Sequence, residues 1–217
     1  MDPLLVVNFK AYSQGIGTKS LEIAHACQEI SERSNVEIIL TPQPTDIHVL
    51  HKNVDLPIYA QHVDPITPGS NTGSLLPESV KNRGAEGTLL NHSERNLLLS
   101  EIDTAIKRCN NLDLKTIVCA SNIEIARACS YLNPDYVAIE PPELIGGDVS
   151  VTSADPDIVK NSVNASNVPV LCGAGVSSGE DFKKALELGA DGVLVASSIV
   201  KSQNPKKAIK ELINKIR

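Results

Sequence analysis

Tryptophan is absent from this 217-residue chain, methionine occurs once, and two phenylalanines and four tyrosines are its only other large ring or thioether side chains. The core must therefore be aliphatic, and no aromatic platform is offered on which bases could stack. Basic clusters are missing as well. The net charge is −6, which argues against general binding to nucleic acid or an anionic membrane, since both need a positive surface. An anionic ligand would have to be held locally, by backbone N–H groups or a single lysine. Apolar runs reach only about five residues, against the roughly 20 needed to span a bilayer, and no signal-peptide pattern precedes the first strand-like run. The five cysteines, Cys27, Cys109, Cys119, Cys129 and Cys172, form no CxxC pair and fall in apolar patterns. They read as reduced, buried thiols of a cytoplasmic protein. The five histidines are scattered, with no HExxH spacing and no thiolate cluster, so neither a metal nor another cofactor is expected.

What is present is 41% apolar content, enough for a full core in a chain of this length. Short apolar runs recur at Leu4 to Phe9, Glu37 to Thr41, Pro57 to Gln61, Gly87 to Asn91, Lys115 to Ala120, Tyr136 to Ile139, Pro169 to Cys172 and Gly192 to Ala196. Each reads as a strand. Helical stripes lie between them, one through Leu98, Ile102, Ala105, Ile106 and Cys109, another through Ala208, Ile209, Leu212, Ile213 and Ile216. Alternation of this kind implies parallel strands with crossover helices. Ser178 with Glu180 and Asp181, the Asn204-Pro205 pair, and the acidic, proline-bearing Thr152 to Asp157 all look like helix starts. No composition shift divides the chain, so residues 1–217 read as one α/β domain. Eight β/α units fit a closed (β/α)8 barrel with trimmed loops and helices better than an open sheet, because closure removes edges.

In such a barrel, functional side chains belong at the C-terminal ends of the strands. The first strand closes with Asn8-Phe9-Lys10, where Lys10 is either a solvated cation or a clamp on an anion, and Asn8 points to the same side. The fourth ends in Asn91-His92-Ser93-Glu94-Arg95. Ser93 there resembles a helix N-cap, which would place His92 at the positive end of a helix dipole that disfavours imidazolium. The sixth ends in Glu140, followed by Pro141-Pro142-Glu143-Leu144-Ile145-Gly146-Gly147, stiff at one end and permissive at the other as a hinged lid would be. The seventh and eighth close with Gly173-Ala174-Gly175 and Ala196-Ser197-Ser198, small residues that let backbone N–H groups converge on a phosphate.

Taken in order along the whole chain, Asn8-Phe9-Lys10, His92-Ser93-Glu94-Arg95, Glu140-Pro141 with its Gly146-Gly147 segment, and the two phosphate-type turns resemble the triosephosphate isomerase family, in its compact archaeal form. The resemblance implies interconversion of dihydroxyacetone phosphate and glyceraldehyde 3-phosphate, in glycolysis and gluconeogenesis. It implies Glu140 as the base, His92 as the proton shuttle, Lys10 as the positive charge, Asn8 as an orienting group and Glu94 as support for Lys10. Phosphate would rest on backbone N–H groups near Gly146, Gly147, Gly173, Gly175, Ala196 and Ser197. A homo-oligomer is implied too, tetramer favoured over dimer and built partly through the Val63 to Ser74 loop. Pro142-Glu143-Leu144 departs from the aromatic lid sequence of many relatives. Two other readings are another phosphate-binding barrel isomerase, which would want different groups at the first and fourth strand ends, and an inactive metabolite-binding barrel, which would have lost a proton-transfer residue.

Overall fold

The computed structural model describes residues 2–141, 152 and 155–216. Its strands are β1 (Leu4–Asn8), β2 (Glu37–Thr41), β3 (Tyr59–Ala60), β4 (Gly87–Leu90), β5 (Lys115–Ala120), β6 (Tyr136–Ile139), β7 (Val170–Cys172) and β8 (Gly192–Val195). They form one eight-stranded parallel sheet in the order β2-β1-β8-β7-β6-β5-β4-β3. The two end strands meet through an isolated bridge between Leu40 and Ile58, with the Leu40 N–H donating to the Pro57 carbonyl at 3.0 Å. The sheet thus closes into a (β/α)8 barrel.

Strands this short persist because both faces are covered. Leu4, Val6, Ile39, Leu89, Ile117 and Leu194 fill the barrel interior, while Leu5, Val7, Ile38, Leu40, Leu90 and Val118 pack outward against helices. Burying a Val, Leu or Ile side chain contributes roughly 1.5–3 kcal/mol relative to exposure, so two to six residues per strand suffice. Since side chains alternate, Asn8 follows Leu4 and Val6 inward, and Glu140 follows Ala138.

The helices are α1 (Thr18–Ser31), α2 (Ile47–Asn53), α3 (Pro77–Asn82), α4 (Leu99–Asn110), α5 (Ile123–Ser130), α6 (Pro156–Ala165), α7 (Gly179–Glu187), α8 (Ser197–Val200) and α9 (Pro205–Ile213). Three start signals read from sequence are real caps. The Asp155 carboxylate accepts from the Ile158 N–H, the Ser178 hydroxyl from Asp181, and the Asn204 amide oxygen from Lys207. At α4 the reading fails. The helix opens at Leu99 rather than after Ser93, and the Glu101 carboxylate caps it by accepting the Leu98 N–H at 2.7 Å. Residues 93–98 form an irregular loop instead, and Leu98, expected on the buried stripe, is 69% exposed. Among the described residues no helix is long and apolar enough to cross a membrane.

Candidate active site

Asn8, at the last position of β1, turns the chain back on itself. Its side-chain oxygen accepts the Lys10 N–H at 2.9 Å, and Lys10 adopts a left-handed backbone with φ 48°. That conformation is unfavourable for a residue with a Cβ and persists only when its surroundings impose it. Two glutamines do so. Gln43, beyond β2, and Gln61, beyond β3, each donate to the Lys10 carbonyl, at 2.7 and 2.9 Å, and Gln43 also donates to Gln61. The result aims the Lys10 side chain, only 11% exposed, at Glu94, with Nζ 3.1 Å from Oε1.

His92 is set by the loop that replaces the expected helix start. Asn91 is also left-handed, at φ 57°, and its amide donates to the Cys119 carbonyl while its oxygen accepts the Leu97 N–H, both at 2.9 Å. The Glu94 N–H then donates to His92 Nδ1 at 3.1 Å. Because Nδ1 accepts, the ring proton belongs on Nε2 and the imidazole is neutral. A backbone donor, not a helix dipole, therefore selects the form. The Nε2 atom has no hydrogen-bond partner and lies 3.5 Å from Glu140 Oε1.

Glu140 is 2% exposed, and its Oε2 has no partner. Burial pushes its carboxyl above the ordinary range, opposed in part by His92, the Cys119 thiol and Lys10. The space it occupies exists because Gly173 has no side chain: a Cβ there would stand 2.5 Å from Glu140 Cγ. A buried carboxylate with raised proton affinity beside a neutral imidazole and a lysine can abstract a proton next to a carbonyl and stabilise the charge that forms. Asn8, Lys10, His92 and Glu94 border a cleft of about 440 Å³, spacious enough for a small metabolite.

A sequence model of the family described as Triosephosphate isomerase matches residues 3–216. The chain belongs to the triosephosphate isomerase family. It is 49% identical over 215 residues to the triosephosphate isomerase of Methanocaldococcus jannaschii, covering 97% of this chain and 98% of that relative. The enzymes of the same name from Methanothermus fervidus and Methanosarcina acetivorans are 46% and 48% identical, with at least 97% of each chain covered. These triosephosphate isomerase relatives are archaeal, as the compact sequence suggested.

Of the residues that the triosephosphate isomerase resemblance singled out, Asn8, Lys10, His92, Glu94 and Glu140 come together at one barrel mouth. Gly173, expected at a phosphate, lies against Glu140. Gly175, with φ 67°, follows β7, while Ala196 and Ser197 lead from β8 into α8. Gly146 and Gly147, with the rest of Pro142 to Gly147, lie outside the described residues. Sequence reading missed Gln43, Gln61 and Asn91. The first two were signalled only by following strand ends, and the third by sitting directly before His92.

Proposed function

We propose that this chain is a triose-phosphate isomerase, converting dihydroxyacetone phosphate and D-glyceraldehyde 3-phosphate into one another through an enediolate. The observation that carries the reading is the buried Glu140 carboxylate, whose Oε1 lies 3.5 Å from the partnerless Nε2 of a neutral His92, inside a barrel of this family. Glu140 takes the proton from the carbon beside the carbonyl and returns it to the neighbouring carbon. His92 gives its Nε2 proton to the carbonyl oxygen and recovers one from the adjacent hydroxyl, so the two oxygens exchange roles. Lys10 supplies positive charge for the enediolate and the phosphate, Asn8 fixes the backbone that presents it, and Glu94 holds its ammonium between turnovers.

Phosphate is received by the backbone N–H groups of Gly175, Ala196 and Ser197, together with Gly146 or Gly147. Gly173 contributes by leaving Glu140 its room. Local binding of this kind reconciles a dianionic substrate with a net charge of −6. On this reading the protein acts in glycolysis and gluconeogenesis, in the cytoplasm and without a metal or other cofactor. It acts as a homo-oligomer, a tetramer in preference to a dimer, with the exposed 67–74 segment supporting that reading.

A coupled assay with glyceraldehyde 3-phosphate tests the function, and Glu140→Asp tests the base. Withdrawing the carboxylate by one methylene should lower kcat by about 10² or more while inorganic phosphate still binds. Unchanged turnover would remove Glu140 from the role.

A further inference from the structure

The far side of the barrel carries a second cluster of charge. Helices run back from the strand ends, so α1 and α9, which lie side by side, both finish at the floor, opposite the mouth. Between their carboxyl ends is a cavity of about 170 Å³, lined by Glu29, Ile30, Arg33, Ser34, Lys210 and Ile213 and sharing none of them with the mouth cleft. It is too small for a drug-sized body, which needs about 300 Å³ or more.

Positive charge exceeds negative here. Lys206 holds Glu29 Oε2 at 2.5 Å and Arg33 Nη1 stands 3.4 Å from Oε1, so both oxygens of that carboxylate are taken. Lys210 acts on Glu29 at longer range and forms no ion pair of its own among the described residues. Cations collect at helix carboxyl ends because each end carries about half a negative charge. Two such ends and Glu29 offset about two of the three cations, which leaves about one positive charge over. Glu32 and Glu211, on the same stretch of chain, do not line the cavity. The Ser34 hydroxyl oxygen is buried without a partner, and the planar fork of Arg33 meets Glu29 only as an ion pair, so both have donors to offer. Ile30, 5% exposed, and Ile213 supply apolar wall.

We propose that this cavity binds a short-chain aliphatic carboxylate, its head on Arg33, Lys210 and Ser34 and its tail on Ile30 and Ile213. A monoanion matches the single leftover charge, and a planar carboxylate matches the arginine fork. Binding clamps α1 to α9. It does not depend on the isomerase reading, because none of these residues borders the mouth cleft.

Butyrate is the probe, with butylammonium as the control of like shape and opposite charge. Saturation-transfer NMR on the full chain should show saturable butyrate binding with a Kd on the order of 1 mM, as expected of so small a ligand, and none of butylammonium. Lys210→Glu and Arg33→Glu, both on exposed side chains, should each weaken butyrate by about tenfold or more while turnover of glyceraldehyde 3-phosphate stays at the parent level. Ser34→Ala should weaken it by about tenfold, the loss of a hydrogen bond to a charged partner. Lys210→Gln supplies the same test, with a smaller loss, if charge reversal disturbs folding. Butyrate binding that survives both reversals would overturn the site, as would equal binding of butylammonium or no saturable binding of butyrate at all. So would binding that is lost on Lys10→Met, because the carboxylate would then sit at the mouth.

Discussion

In the proposed reaction, Glu140 trades stability for reactivity. Its proton affinity is raised in the folded chain, mainly by burial. The sign of the linkage follows: the folded state is favoured most below the ordinary glutamate pKa, and that advantage is lost as pH rises through the raised value. Glu140→Gln should therefore raise Tm at pH 7, by about 2–4 °C for each kcal/mol relieved, and the gain should vanish near pH 4 where the parent carboxyl is protonated. Scanning calorimetry at both pH values checks this. Gly173 controls the same carboxylate sterically, because a Cβ would stand 2.5 Å from Glu140 Cγ. Gly173→Ala should cut kcat by about 10² with little change in KM or in far-UV circular dichroism, as expected when a reacting group shifts by about 1 Å. The residues proposed for proton transfer could be singled out in the sequence because each follows or closes an apolar run. Gln43 and Gln61 were not: they converge on Lys10 across 33 and 51 residues of chain, a meeting that only the closed barrel produces.

At the scale of elements, the turn after β1 and the short helix after β8 behave as one piece. The 3-10 turn Ser13–Gly15 packs so tightly on α8 that a Cβ on Gly15 would lie 3.0 Å from Val200 Cγ1 and 3.2 Å from the Phe9 carbonyl. Beside it, the Lys201 ammonium sits 4.3 Å from the centre of the Tyr12 ring, a contact worth roughly 0.5–1 kcal/mol at an exposed site. These contacts tie the strand end bearing Lys10 to the backbone at Ala196 and Ser197. Gly15→Val should push the two apart, raising KM for glyceraldehyde 3-phosphate several-fold more than it lowers kcat, and steady-state kinetics would show the split. Strands were readable to within a residue or two because burial on both faces leaves continuous apolar runs. The start of α4 was not, since Ser93 carries the same cap chemistry as Ser178, and the side chains of Asn91 and His92 claim the following residues for a loop by accepting the Leu97 and Glu94 N–H groups.

At the scale of the molecule, the 64–75 loop is closed on itself. The Asp64 N–H donates to the Leu75 carbonyl, and the Asp64 carboxylate accepts the Leu75 N–H at 2.6 Å while contacting His62 and Arg95. Burial alone would raise the Asp64 carboxyl, but the Leu75 N–H and His62 hold it below its usual value, and burial holds His62 low. Both shifts favour folding above the unfolded pKa values and lose that contribution on acidification, His62 from about pH 6.5 downward and Asp64 at lower pH. If this loop joins subunits, sedimentation should show dissociation increasing from pH 7.5 to pH 5, and Asp64→Ala should weaken assembly already at pH 7.5. The barrel itself closes through one isolated bridge between β2 and β3, reinforced by Gln61 donating across it to the Thr41 carbonyl at 3.0 Å. The same amide group holds the Lys10 carbonyl. Local parting of these two strands would thus release the lysine's left-handed backbone before the remainder of the barrel unravels. Native-state hydrogen exchange at the Leu40 amide should then report the opening free energy of the active fraction, and a Gln61→Ala protein should exchange there faster and lose turnover in proportion.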